Sequence, residues 1–237
     1  MTTSYSAKDI KVLEGLEPVR KRPGMYIGAT DERGIQELLK EIIDNSVDEA
    51  IAGFGSDVYI TLAKDGYAAI SDNGRGIPTG MHASGVSALE IAMTKLHAGG
   101  KFEETAYQAS GGLHGVGASA VNALSTHLLV IVKREGKYFF QEYKIGQPKS
   151  PVKTISEAEV KKLILPGHHS LLTAESGTYT TFIPDPTIFK KTIEFNYKNI
   201  KDRIRERAYL IPKLYLHLND ERSGDKCNFY FESGIKS

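Results

Sequence analysis

Three groups of residues have types and spacings that could do chemistry. Glu41 and Asn45 stand one helical turn apart in a segment whose aliphatic residues recur every three or four positions. With Asp48 they set carboxylate and amide oxygens along one polar face, which can line a site or simply meet water. The second group is Asp72-Asn73-Gly74-Arg75-Gly76-Ile77-Pro78, which follows a strand-like run. A carboxylate there could accept from an amino group, beside backbone that only glycine lets come close. It could equally cap backbone N–H groups of a tight turn. The third group, Gly111-Gly112-Leu113-His114-Gly115-Val116-Gly117, leads into a helix-like segment, so its N–H groups could surround an anion such as phosphate. It is no Walker A loop, because Gly99-Gly100-Lys101 is followed by Phe102. The order Gly-x-x-Gly-x-Gly, with no strand directly before it, also departs from a dinucleotide fingerprint.

The elements that must position these groups follow from periodicity. Ile35, Leu38, Leu39, Ile42, Ile43, Val47, Ala50 and Ile51 predict a helix over 34–52 with one buried stripe. Val58–Leu62 and Tyr67–Ile70 flank Asp65-Gly66 and predict a hairpin closed by a two-residue turn. A helix is expected over 86–96 and another over 116–124, joined by a glycine-rich loop. Strands at 128–133 and 138–145 turn at Glu135-Gly136-Lys137. Residues 146–177 read as a surface excursion with a short charged helix at 156–164. A strand at 178–183, a helix at 195–210 with Arg203, Arg205 and Arg207 outward, and strands at 213–218 and 228–231 follow. Hairpins outnumber βαβ crossovers, so the expected fold is α+β: a two-layer α/β sandwich, its mixed and mainly antiparallel sheet covered by helices on one face. Residues 1–33 are expected to be an N-terminal arm and turn, broken by Pro18 and Pro23, and 34–237 one domain.

Composition narrows the function classes. The 237 residues suffice for a sizeable core, and 30 Lys and Arg against 29 Asp and Glu leave a formal charge of +1. That balance provides no global attraction for nucleic acid or an anionic membrane. Arg20-Lys21-Arg22 is read as a solvated basic turn rather than a phosphate contact. Cys227 is the single cysteine, which excludes an intrachain disulfide and a cysteine-based zinc cage; it is expected to be inert. No signal core and no uninterrupted run of 18 apolar residues occurs, so a cytoplasmic protein without a membrane partner is expected.

Together the three groups are more specific than apart. Glu41-x-x-Asp44-Asn45-x-x-Asp48-Glu49, Asp72-x-Gly74-x-Gly76 and Gly112-Leu113-His114-Gly115-Val116-Gly117, in that order, resemble the GHKL ATPases with their Bergerat nucleotide fold. The stretches Val19-Arg20-Lys21-Arg22-Pro23-Gly24-Met25-Tyr26-Ile27-Gly28, Leu96-His97-Ala98-Gly99-Gly100-Lys101-Phe102 and Ser110 to Ser125 narrow the likeness. They look like the ATPase domain of the B subunit of bacterial type IIA topoisomerases, the DNA gyrase and topoisomerase IV class. The likeness covers nearly the whole chain.

The resemblance implies ATP and Mg2+ as the species bound. It makes Asn45 the Mg2+ ligand through its side-chain oxygen and Glu41 the base that polarises the water attacking the γ-phosphate. Asp72 would accept from the adenine amino group beside Thr178, which disfavours guanine. Lys101 and the N–H groups of Gly112, Leu113, His114, Gly115, Val116, Gly117 and Ala118 would close over the phosphates. Glu49, Arg75, Gly76, Ile77, Pro78 and Arg134 would border the pocket, with Tyr107 nearby. Plainer roles for His114, Lys101 and Tyr107 are lid packing, a solvated charge and stacking. Tyr5 would reach the nucleotide of a second subunit, so that ATP binding makes a homodimer.

The implied function is the ATP-operated clamp of a type II DNA topoisomerase, which captures DNA and drives strand passage with an A-type cleavage subunit. The transducer, toprim and cleavage domains are expected to be absent from this chain. It should therefore hydrolyse ATP slowly and stay largely monomeric. The most pointed departure from the family pattern is Glu37, which stands where a histidine usually supports the base; the turn His82-Ala83-Ser84-Gly85 is also shorter and residues 146–177 more extended than the family's versions. Glu37 and Glu41 at i and i+4 would repel and raise a pKa, unless support comes from elsewhere. The rivals are a sensor histidine kinase catalytic domain, for which no phosphoacceptor helix pair is visible, and a non-enzymatic DNA-binding or scaffolding module, which the near-neutral charge supports poorly.

Overall fold

A computed structural model describes residues 13–98, 115–189 and 194–233. The chain enters through two short helices, α1 (Glu17–Lys21) and α2 (Gly24–Ile27), separated at Pro23. Pro18 sits in the first turn of α1, where its missing N–H costs nothing, and Val19 and Ile27 are buried in the main core. Helix α3 (Glu32–Ile51) follows, capped by the Asp31 side chain, which accepts from Arg33 N at 2.9 Å. Its apolar stripe is buried as its spacing predicts up to the last turn, where Ala50 is half-buried and Ile51 is 39 % exposed.

Strands β1 (Asp57–Leu62) and β2 (Ala68–Asp72) form the expected hairpin. Its loop is three residues and not two, because Ala63 N donates to Tyr67 O at 2.8 Å and extends the ladder one pair toward the turn. After α4 (Ala88–Thr94) and α5 (Gly117–Ala123) come β3 (Ser125–Arg134) and β4 (Lys137–Lys144), joined at Glu135-Gly136 with φ of +52° and +70°. Two positive φ angles in a row suit the right-handed twist of a tight hairpin. The excursion holds β5 (Gln147–Pro148), β6 (Lys153–Ile155), α6 (Glu157–Leu163) and α7 (Ser170–Thr173). A reciprocal Ser156–Glu159 capping box starts α6. Strand β7 (Gly177–Pro184), helix α8 (Tyr197–Leu210) and strands β8 (Tyr215–Asp220) and β9 (Lys226–Phe229) complete the described chain.

The strands make one sheet in the order β5-β4-β3-β7-β2-β1-β8-β9, with β6 also on β4. Every pairing is antiparallel except β1 with β8. Alternation sorts the two faces. Val58, Ile60, Leu62, Leu128, Val130 and Val132 meet the apolar stripes of α3, α4, α5 and α8, which form the helical layer. Leu129, Ile131 and Tyr179 face the other way, against Ile155, Val160, Ile164 and Leu171. Residues 146–177 are thus more than a surface excursion, since part of them roofs the second face. His168 belongs to that roof: fully buried, its ring bonds Ser71 Oγ at 2.7 Å and Thr61 Oγ1 at 3.0 Å. Burial pushes its pKa down to about 3, so it is neutral.

Two basic side chains depart from expectation. Arg20 does not sit in a solvated turn; it donates to Asp185 Oδ2 at 2.7 Å and to Ala123 O at 2.6 Å, tying α1 to the end of α5. Lys21 and Arg22 remain exposed. Arg207 turns inward from α8 to Asp44 on α3 at 2.8 Å, while Arg203 and Arg205 stay exposed. Buried Asp44 requires a cation, and α8 supplies it. Among the described residues no helix is long and apolar enough to cross a membrane.

Candidate functional site

Glu41, Asn45 and Glu49 form a half-buried line along α3, with neighbouring Asp44 and Asp48 fully buried. Such a line, neither core nor open surface, is what a helix shows when its polar face looks into a cleft. The far end is fixed by Glu49, whose Oε2 accepts from Arg75 N at 3.1 Å and Nε at 2.9 Å while Oε1 accepts from Nη2 at 2.8 Å. The Arg75 guanidinium also lies over the Phe54 ring at 3.9 Å. At the other end, Glu41 faces the first turn of α5. A methyl group on Gly117 would land on Glu41 Oε2, so glycine there lets the carboxylate keep its present position against α5.

Between those ends lies Asp72, where β2 leaves the sheet. Ser46 Oγ donates to its Oδ2 at 2.7 Å; Gly74 N and Thr178 N donate to Oδ1 at 3.0 and 3.3 Å. The tight-turn function is therefore present, through Gly74. A carboxylate has about four acceptor positions, so one on Oδ2 is left among the described residues. The side chain lies deep among protein atoms yet keeps partial solvent contact, as on the floor of a cleft. Burial pushes its pKa up to about 6, against the three hydrogen bonds that favour the charged form.

The turn after Asp72 is fastened from both sides. Arg134 Nη1 donates to Gly76 O at 2.7 Å, Ser176 Oγ to Gly74 O at 2.7 Å, and Ile77 N to Thr178 Oγ1 at 3.3 Å. Gly76 has φ of +76°, and a side chain there would meet Val132 and Lys133. Thr178 is nearly buried, Ile77 half-buried and Pro78 exposed at the rim.

Glu37 does not contact Glu41. It accepts from Lys40 Nζ at 2.7 Å, and that ammonium stands 3.5 Å from Glu41 Oε1 and 3.5 Å from Asp44 Oδ2. Burial raises the Glu41 pKa; Lys40 opposes the rise, and the charges of Glu37 and Asp44 add to it.

The structure brings Glu41, Asn45, Glu49, Asp72, Arg75, Gly76, Ile77, Arg134, Gly117 and Thr178 into one neighbourhood of α3, the β2 turn, α5, the end of β3 and β7. Gly115, with φ of +58°, Val116 and Ala118 lie beside Gly117 at the α5 start. Tyr5, Lys101, Tyr107, Gly112, Leu113 and His114 lie outside the described residues. Two partners of the site were not singled out from sequence. Ser46 had a signal, since it falls four after Ile42 on the apolar stripe, where a hydroxyl needs a partner. Lys40 had none beyond its spacing from Glu37 and Asp44.

Residues 30–145 match the family described as Histidine kinase-, DNA gyrase B-, and HSP90-like ATPase. The chain is 53% identical over 98% of its length to the DNA gyrase B protein of Archaeoglobus fulgidus, covering 35% of that protein. It is 48% identical over 98% of its length to the DNA topoisomerase 4 B protein of Staphylococcus aureus, covering 33%. It thus spans about a third of these relatives. Among solved structures, the 43K ATPase domain of Thermus thermophilus gyrase B, in complex with an aminocoumarin, aligns with a TM-score of 0.77 at 38% identity, over 93% of this chain and 52% of that one. These relatives favour the topoisomerase likeness over the histidine kinase one. The order of motifs, the sheet and the relatives agree: the chain belongs to the histidine kinase-, DNA gyrase B- and HSP90-like ATPases, as an ATPase domain of the kind found in the B proteins of type IIA topoisomerases.

Proposed function

We propose that this domain binds and hydrolyses ATP to work a DNA clamp, with Asp72, Asn45 and Glu41 dividing the chemistry. The observation that carries the proposal is the Asp72 carboxylate, fixed by Ser46, Gly74 and Thr178 with one acceptor position to spare. That position suits the adenine amino group, and a guanine carbonyl there would oppose the carboxylate's lone pairs. Thr178 stands beside it, and Glu49, Arg75, Gly76, Ile77 and Pro78 frame the base. The close approach of Gly117 to Glu41 keeps side chains out of the space where Gly115, Val116, Gly117 and Ala118 would offer N–H groups to phosphate.

Among the described residues no three His, Cys, Asp or Glu side chains are grouped to hold a metal. A magnesium ion would rest on the Asn45 oxygen and on the substrate's phosphates, which suits a hard cation that retains water; bound, it would offset phosphate charge. Glu41 takes a proton from the water that attacks the γ-phosphorus as the bond to the β-phosphate oxygen breaks. Its raised pKa makes it a better proton acceptor than an ordinary glutamate. Lys101, Tyr107, Gly112, Leu113 and His114 are proposed to cover the phosphates, and Tyr5 to reach across a homodimer formed on ATP binding. DNA capture and strand passage with an A-type cleavage subunit are proposed for the larger assembly.

Titration calorimetry with a magnesium-bound ATP analogue, and turnover assays, test these roles. Asp72→Asn should abolish binding; Glu41→Ala should bind normally and not turn over. Normal binding by Asp72→Asn would show the adenine assignment to be wrong.

A further inference from the structure

Among the described residues, Glu41 stands in a cluster of charges carried by α3 and α8. On α3, Glu37, Lys40, Glu41 and Asp44 share one side, at i, i+3, i+4 and i+7. Across the groove, α8 presents Arg203, 3.7 Å from Glu37 Oε2, and Arg207, 2.8 Å from Asp44 Oδ1; Glu206 lines the same groove. Three of these four carboxylates, Glu37, Glu41 and Asp44, meet three cations, and both arginines are taken by Glu37 and Asp44. Lys40 is the cation within 4.0 Å of Glu41 among the described residues. It meets Oε1, while Oε2 is turned to the first turn of α5, which carries no acidic residue.

We infer that Lys40, held by Glu37, is a positioning residue for Glu41: it anchors one carboxylate oxygen and leaves the other toward the phosphate end of the site. The inference rests on the reading of Glu41 as the base. Its physical content is twofold. The 2.7 Å bond to Glu37 removes much of the rotamer freedom of a lysine, so the ammonium is already in place. Its charge then keeps Glu41 ionised between Glu37 and Asp44, which otherwise disfavour a third negative charge. Glu37 thus acts on Glu41 in two ways, by direct repulsion and, oppositely, through Lys40.

The test is the titration of the Glu41 carboxyl carbon by NMR in the nucleotide-free chain, assigned by difference with Glu41→Gln. Single-turnover ATP hydrolysis across pH accompanies it. Lys40→Met should raise the Glu41 midpoint by roughly half a unit to one unit, because a partly solvated cation is removed. The acidic limb of the rate profile should move up with it, while affinity for the ATP analogue is unchanged. Lys40→Arg should restore the wild-type midpoint. Glu37→Gln should lower the midpoint more in the Lys40→Met background, where only repulsion is lost, than in wild type. An unmoved midpoint and unmoved limb in a folded Lys40→Met would overturn the inference, and if Glu41→Ala still abolished turnover the base assignment would stand. Turnover persisting in Glu41→Ala would instead remove the reading on which the inference rests.

Discussion

Ser46 Oγ donates to Asp72 Oδ2 at 2.7 Å, so the helix that carries Glu41 and Asn45 is joined to the strand end proposed to read adenine. The bond holds the carboxylate's rotamer and favours its charged form. Ser46→Ala removes one donor from a desolvated carboxylate and should weaken binding of an ATP analogue by about fivefold, the equivalent of about 1 kcal/mol. Calorimetry at neutral pH checks this. Unchanged affinity would mean that Gly74 and Thr178 suffice to hold Asp72.

The Asp72 pKa near 6 sets stability against function. Its folded value lies above the ordinary 3.8, so the folded chain holds this proton more tightly than the unfolded one. The stability linked to that proton is complete below about 3.8 and is lost as pH rises through about 6. Asp72→Asn carries no such charge. It should gain on wild type as pH rises over that window, by on the order of 2 to 3 kcal/mol at neutral pH, while losing nucleotide. Denaturant unfolding of both proteins from about pH 4 to about pH 8 would reveal the divergence. Parallel curves would mean that Asp72 is not desolvated as its position requires.

The same pKa bears on nucleotide affinity. An adenine amino group donates, so it needs the carboxylate and not the acid. Binding of a magnesium-bound ATP analogue should weaken up to about tenfold per unit as pH falls below about 6, with a proton released on binding near that pH. Calorimetry in buffers of different ionisation enthalpy measures that release directly. No release would assign the adenine contact to another acceptor.

Much of this arrangement was legible in the sequence, for local reasons. The α3 stripe keeps one period over five turns, and the glycines after Asp72 and at the start of α5 mark places of close approach, as Gly76 and Gly117 do. What was not legible depends on distant partners. The parallel pairing of β1 with β8 joins Asp57 to Tyr215 across most of the chain, and nothing near either strand announces it. Arg207 looks like any polar residue of α8 until Asp44 is found buried opposite. The apolar residues Val160 and Leu171 are too widely spaced among charged and turn residues to declare a second core. Within the site, Glu37 marks a departure in the sequence itself, whereas Lys40, which it holds at 2.7 Å, carries no sign of that role in its local sequence beyond its spacing.

Gly117 offers a prediction in which helix stability and activity part. It opens α5, where alanine is favoured over glycine by up to about 1 kcal/mol in a helix interior, and its φ is not positive. The added methyl would, however, land on Glu41 Oε2. Gly117→Ala should fold with little change in melting temperature, bind an ATP analogue within about threefold of wild type, and lose more than about tenfold in single-turnover rate as the carboxylate is displaced. A retained rate would mean that Glu41 can swing aside and still act.

The Arg207–Asp44 pair closes the far side of α3. Asp44 is 6% exposed, and Arg207 reaches both its oxygens, at 2.8 and 3.0 Å, from a helix that otherwise stands across a groove of about 390 Å3. Removing the guanidinium leaves a buried carboxylate whose remaining cation among the described residues is Lys40, at 3.5 Å. Arg207→Ala should therefore cost about 3 kcal/mol, the usual penalty for breaking a buried pair from one side. Asp44→Asn in that background should recover much of the loss, since the stranded charge goes with it. The double-mutant cycle is read by denaturant unfolding. Additive losses would mean that the two residues act separately and that apolar packing alone holds α8 beside α3.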